Sequence, residues 1–108
     1  MPRQVRRRYL ALKIECKGQL QEKEVSDTLW NAALRLFGEV GVSQAGLYLV
    51  HFDSENNNAV LRCSHTALPM IRAAVASITE IGDKPAAVHV LRVSGSLKAL
   101  SRKLSPQH

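Results

Sequence analysis

Leu47-Tyr48-Leu49-Val50-His51-Phe52-Asp53-Ser54-Glu55-Asn56-Asn57-Asn58-Ala59-Val60-Leu61-Arg62-Cys63-Ser64 is the stretch on which the fold turns. Residues 47–53 and 59–64 are apolar, aromatic and β-branched enough to read as strands. Ser54 to Asn58 between them is turn chemistry, because Asn, Asp and Ser bond their own backbone and tolerate left-handed φ. Two strands split by so short a polar link form an antiparallel hairpin.

Outward on the N-terminal side, Val25, Leu29, Ala32, Ala33, Leu36 and Val40 recur at helical spacing. Trp30, Leu34 and Phe37 widen that stripe, Ser26 or Asp27 can cap it, and Gly38 and Gly41 are expected to stop it. Lys17 to Glu24 is a polar connection. Before it, Arg8 to Cys16 alternates: Leu10, Leu12, Ile14 and Cys16 face one way, Tyr9, Ala11, Lys13 and Glu15 the other. That is a half-buried strand.

On the C-terminal side, Ser64 or Thr66 can cap a second helix, with Pro69 tolerated in its first turn. Ile71, Ala74, Val75, Ile78 and Ile81 mark its buried face, and Gly82-Asp83-Lys84-Pro85 ends it. Ala87 to Val93 is a fourth strand. Gly95 breaks it, as the residue that permits positive φ, and Ser96 can cap a short last helix through Leu97, Leu100 and Leu104.

The order is therefore β-α-β-β-α-β plus a C-terminal helix, with no internal repeat. Two right-handed crossovers interleave in one sheet as the ferredoxin-like, RRM-like α-β sandwich of the α+β class, strand order 4-1-3-2. Residues 1–7 form a basic N-terminal arm, 8–95 the sandwich, and 96–108 a basic C-terminal helix and tail. Both helices cover one face. Leu10, Leu12, Val50 and the Val88–Val93 strand put apolar side chains on both faces, so the second face meets a partner or the C-terminal helix.

At 108 residues the chain is one domain, and with aromatics at 5% its core is built from Leu, Ile, Val and Ala. No apolar run approaches the roughly 18 residues of a membrane span, and no signal-peptide pattern follows the basic start, so an intracellular location is expected. Cys16 and Cys63 are expected as reduced, buried thiols, and no Cys or His pair has zinc-ligand spacing.

The net charge is +6, and the surplus lies at the ends: residues 1–8 hold four arginines, residues 96–108 hold Lys98, Arg102 and Lys103, and neither end holds an acid. The topology brings the ends together. The start of the first strand, with Arg6, Arg7 and Arg8, meets the end of the third, with Arg62, Ser64 and His65, and the end of the fourth, with Ser94-Gly95-Ser96. Arg72 follows within the second helix. Lys98, Arg102 and Lys103 form one stripe on the last helix. Such convergence is a polyanion footprint, and free N–H groups at helix starts add to it. The alternatives stay open: solvated tails, an Arg62–Glu15 pair across the sheet, and Arg72 as an ordinary surface residue.

An RNA-recognition motif stacks bases on aromatics of its middle strands. The third strand here has none, and Tyr9, Tyr48 and Phe52 are not expected to make that platform. A grip on folded RNA through its phosphates fits better. Catalysis finds little support. His51, His65, His89 and His108 form no nucleophile–base pattern; His51 and His89 read as satisfied sheet residues. There is no P-loop or dinucleotide turn, and residues 17–24 lack the arginine an acyl-phosphate hydrolase needs.

Four segments carry a resemblance: Arg8-Tyr9-Leu10-Ala11-Leu12; Leu36-Phe37-Gly38-Glu39-Val40-Gly41; Leu61-Arg62-Cys63 with Ile71-Arg72-Ala73-Ala74; and Val93-Ser94-Gly95-Ser96-Leu97-Lys98. In order and spacing they resemble the small Pop/Rpp-type protein subunit of archaeal and eukaryotic ribonuclease P, over roughly residues 8–104. Arg92 stands where that family often has Gly, and Ser96 and Leu97 replace its usual Thr and Ile. The resemblance implies a non-catalytic RNA-binding subunit of an RNA enzyme that removes 5′ leaders from precursor tRNA. It implies ribonuclease P RNA as partner, and a larger TIM-barrel-like protein subunit in a heterodimer or heterotetramer. No cofactor is expected on the protein, magnesium being required by the RNA. The location is cytoplasmic in an archaeal-type chain, nuclear or nucleolar in a eukaryotic one. The competing expectation is a ferredoxin-like regulatory or dimerisation domain that binds a protein or small molecule.

Overall fold

The structure, a computed structural model, describes residues 6–98. Strand β1 (Arg7–Cys16) leads to helix α1 (Glu22–Ala45), then the hairpin β2 (Tyr48–Asp53) and β3 (Asn58–Ser64). A 3-10 turn (His65–Ala67) enters helix α2 (Leu68–Ala76), and a second hairpin, β4 (Glu80–Ile81) and β5 (Lys84–Ser94), follows. The sheet runs β2-β3-β1-β5-β4, every pairing antiparallel. This is the expected ferredoxin-like order with one short edge strand added. Of the expected last helix only residues 97 and 98 are described, and they are helical. Arg102 and Lys103 lie outside the described residues.

The core has one layer of sheet side chains and one of helix side chains. Leu10, Leu12 and Ile14 of β1 and Ala59, Leu61 and Cys63 of β3 are buried against Val25, Leu29, Ala32 and Ala33 of α1 and Ile71, Ala74 and Val75 of α2. Two β-bulges make this layer continuous. Val90 and Val93 are three residues apart, so an unbroken strand would put them on opposite faces. The register slips between Ala11 and Leu12, pairing Leu10 with Val93 and Leu12 with Val90. Both valines therefore pack on the core. The slip between Leu49 and His51 does the same for Leu49 and Phe52.

Helix α1 departs from the expected helix at both ends. It starts at Glu22, ahead of Ser26 and Asp27, because the Gln21 backbone N–H donates to the Glu24 carboxylate at 3.1 Å, and Glu22 and Glu24 complement the dipole of the first turn. Lys84 holds Glu24 from the opposite hairpin at 3.7 Å. Gly38 and Gly41 do not stop the helix. It kinks at Gly38 (φ 75°, ψ 173°) and runs on to Ala45, where Gly46 in the left-handed region ends it. Beyond the kink the stripe changes phase: Val42 and Ala45 are the buried residues and Val40 is 70% exposed, while Leu36 and Phe37, just before it, are exposed as well.

Gly38 sits where glycine alone is at ease, although a Cβ there would touch nothing within 4 Å. Gly38→Ala should lower stability by about 1–3 kcal/mol, read from the thermal melt followed by circular dichroism. A rise in melting temperature would mean that α1 can straighten and gain alanine's helix preference, and would remove the kink as a requirement of the fold.

The second helix is shorter than its periodicity predicts. It ends at Ala76, where the Ser77 hydroxyl donates to the Ala74 carbonyl at 2.7 Å. Ile78 and Ile81 are buried all the same, carried by the segment that leads into the β4–β5 hairpin. Gly82 at φ 62° turns that hairpin, where a helix stop was expected.

Candidate nucleic-acid interface

The N-terminal arginines enter along the end of the sheet where β3 and β5 leave it. Arg7 pairs with Ser64 and Arg8 with Cys63 across β1–β3, and Tyr9 pairs with Ser94 across β1–β5. The His65 backbone N–H donates to the Arg6 carbonyl at 2.8 Å, so Arg6 continues the ladder beyond the strand. Ser94 Oγ accepts the Ser96 N–H at 3.2 Å and folds the chain at Gly95. Gly95 does not have positive φ, contrary to expectation; a Cβ there would stand 3.5 Å from Arg8 Nη1. Its part is to flank the Arg8 guanidinium, which also donates to the Arg7 carbonyl at 3.1 Å. Arg6, Arg7, Arg8, Ser94, Gly95, Ser96 and Lys98 thus belong to one end of the domain, with Arg6, Arg7 and Lys98 exposed.

Arg72 is exposed on α2, next to the buried Ile71, and no hydrogen bond or ion pair among the described residues ties it to the arginines of β1. The Leu68 N–H at the start of that helix is taken by the His65 carbonyl. Arg62 lies inside the sheet, two residues from the end of β3 and on the face away from the helices. The expected alternative of an Arg62–Glu15 pair does not form: Glu15 is bonded to His89 Nε2 at 3.0 Å, which satisfies that sheet histidine.

The ion pairs among the described residues are Lys23–Asp27 and Lys84–Glu24, and His89 Nε2 hydrogen-bonds Glu15. Arg6, Arg7, Arg8, Arg62, Arg72 and Lys98 take part in none of them. The cations of this end of the domain are therefore not neutralised by carboxylates among the described residues, as a surface that receives phosphate requires.

The sequence does not bring Tyr9, Arg62 and Tyr48 together, and the strand register does. Tyr9 on β1, Arg62 on β3 and Tyr48 on β2 stand directly opposite one another in one row across three strands. The Arg62 guanidinium lies 4.8 Å from the centroid of the Tyr48 ring, a cation–π contact. Phe52 pairs with Ala59 and packs on the core side. The identity of three residues 14 and 39 positions apart in one row follows from pairing register, which alternation within each strand does not specify.

Both cysteines are free, Cys63 buried and Cys16 half-buried. Burial pushes the Cys63 thiol up from the ordinary 9.0 to about 11, against the opposing pull of the Arg8 charge. A folded-state value above the unfolded one contributes stability that is complete below about pH 9 and is lost as pH rises through about 11. In the native chain at neutral pH, Cys16 should be alkylated first and Cys63 only on unfolding, a sequence mass spectrometry resolves. Two equally fast thiols would show that the β1–β3–α2 core opens readily. Among the described residues, no group of three or more His, Cys, Asp or Glu gathers to hold a metal.

Fold and site together define a class: a small ferredoxin-like α+β domain with a basic end that no carboxylate neutralises among the described residues. Within it, this chain belongs to the Rpp14/Pop5 family, whose description matches residues 8–105. It is similar to "Ribonuclease P protein component 2" of Pyrococcus furiosus, at 31% identity over 94% of this chain and 85% of that one. The protein of the same name from Methanosarcina mazei is 32% identical over 91% of this chain and 83% of its own length. A chain in the cryo-EM structure of yeast ribonuclease MRP shares the fold, with a TM-score of 0.70 at 19% identity over 90% of this chain and 79% of that chain.

Proposed function

We propose that this chain serves ribonuclease P as a non-catalytic, RNA-binding protein subunit that supports removal of 5′ leaders from precursor tRNA by a catalytic RNA. The relatives that carry the name ribonuclease P protein component span nearly the whole chain. The observation that carries the RNA-binding part is the gathering of Arg6, Arg7 and Arg8 with the ends of β3 and β5, free of carboxylate partners among the described residues. In this reading the backbone phosphates of folded RNA meet that end, with Lys98 close to it in the chain; Arg102 and Lys103, outside the described residues, are further candidates for the same RNA. Arg72 contributes from the surface of α2. Magnesium is bound by the RNA, and the protein brings cations where phosphates crowd.

The protein partner in this reading is a TIM-barrel-like subunit, in a heterodimer or heterotetramer. Trp30 (44% exposed), Leu36, Phe37 and Val40 are exposed large apolar side chains on α1, the kind of residue a second protein covers. The test is reconstitution of precursor-tRNA cleavage from the RNA, this chain and the candidate partner at moderate magnesium. Cleavage that rises only when all three are present supports the reading. Cleavage indifferent to this chain would overturn it.

A further inference from the structure

The row Tyr48–Arg62–Tyr9 crosses the sheet near the end where Arg7 and Ser94 stand, on the face that neither helix covers. Tyr48 is 55% exposed at the edge strand, so one side of its ring is open to a planar ligand while Arg62 lies over the ring. Arg62 Nε is buried without a hydrogen-bond partner, and no carboxylate among the described residues pairs with the guanidinium. A cation held against an aromatic ring with donors unspent is placed for an anionic or carbonyl-bearing ligand that also stacks.

The rows on either side add charge of one sign. Arg7, opposite Ser64, is the next residue on this face towards the end of the sheet. One row inward, Ala11 stands between Val60 and Arg92, with His51 beyond Val60 on β2. Arg92 reaches this face only because of the β-bulge at Leu91; in an unbroken strand it would point to the core. The acids of the face stand at its other end, at least four residues along the strands, roughly 13 Å away. Of these, Asp53 accepts the Glu55 and Asn56 N–H groups, Glu15 binds His89, and Glu80 stands on the far edge strand β4 opposite Pro85.

We infer that this face binds an unpaired stretch of RNA, one base stacking on Tyr48 beside Arg62 while Arg7 and Arg92 meet the flanking phosphates. The inference rests on the RNA-binding reading above and deepens it. The basic end would grip folded RNA through phosphate, and this adjoining row would take a base that has left its helix. Stacking of this kind tolerates any base, because every base has a π-face.

The test measures fluorescence anisotropy of the full chain with labelled oligouridylate and, separately, with a blunt RNA duplex. Tyr48→Ala should weaken oligouridylate binding by about tenfold, with the duplex affinity and the salt slope unchanged, since stacking releases no counterions. Tyr48→Phe should keep the parental affinity. Arg62→Gln should weaken oligouridylate binding, and Arg92→Gln should weaken it and lower its salt slope by about one. The exposure of Tyr48 makes the Ala variant safe for folding, and the Phe variant separates stacking from any loss of structure.

Equal oligouridylate affinity in the parent and Tyr48→Ala would overturn the inference, and intact duplex binding would then leave the subunit reading standing. Loss of partner-protein binding in Tyr48→Ala at unchanged RNA affinity would make the face a protein dock, and the inference would also fail. A parent that binds neither RNA ends the inference, with the subunit reading then judged by reconstitution alone.

Discussion

Replacing Arg6, Arg7 and Arg8 together with Ala should make RNA binding weaker and much less sensitive to salt. Each phosphate neutralised by an arginine releases counterions, and contributes roughly 0.7–0.9 to the slope of log affinity against log salt. Three lost contacts lower the slope by about 2–3, so the affinity lost between about 50 and 200 mM salt shrinks by roughly twenty- to fortyfold. The loss should be nearly equal for unrelated RNA sequences, because phosphate contacts position without reading bases. The variant keeps the β1–β3 ladder, since the Arg6 carbonyl that accepts the His65 N–H is backbone. Arg8 is the half-buried member, set against Gly95, and Arg8→Lys separates its charge from its packing. Titrations at several salt concentrations with ribonuclease P RNA decide the matter; an unchanged slope removes this end of the domain from the interface.

Leu12→Ala should be the most damaging single truncation of the core. Leu12 is 1% exposed at the centre of β1, flanked by Ala59 on β3 and Val90 on β5. Its neighbour Ala59 offers only a methyl group, too short to fill the space. The helices above it are held by hairpins and caps, which limits collapse. The expected cost is about 2–5 kcal/mol, a large part of the roughly 5–15 kcal/mol by which domains of this size are stable. Urea unfolding should show a lower midpoint at an unchanged m-value. A cost under about 1 kcal/mol would mean that the layer between sheet and helices repacks freely, unlike a core of interior density.

The elements easiest to read in advance were those whose signal is local. Alternation over Arg8 to Cys16, the Asn-rich turn and the helical spacing around Leu29 each state a period and a boundary within about ten residues. The ends of α1 were harder. Gln21 is not a favoured capping residue, yet Glu24 three positions on completes the backbone bond, and a glycine in the chain does not announce whether it stops a helix or kinks it. The short hairpin at Glu80–Ile81 was hidden because Ile78 and Ile81 continue the helical spacing of α2 by coincidence of period. The basic end of the site was legible once the topology was, since strand direction alone carries Arg6–Arg8 to the ends of β3 and β5.

By itself, the sequence determined the order of the four long strands and two helices, the antiparallel sheet, the apolar layer between sheet and helices and the place of the excess charge. Each of these depends on side-chain period and chain direction, which are properties of neighbouring residues. Only the tertiary structure decided which residues stand opposite one another. Tyr9, Arg62 and Tyr48 share a row, and Arg92 faces outward with Ala11, because two bulges each insert one residue. The side-chain period of a strand is two, so one inserted residue exchanges the faces of everything beyond it. What selects the insertion is burial of Val93 with Val90 and of Phe52 with Leu49, a contact energy that exists only when helices and sheet meet.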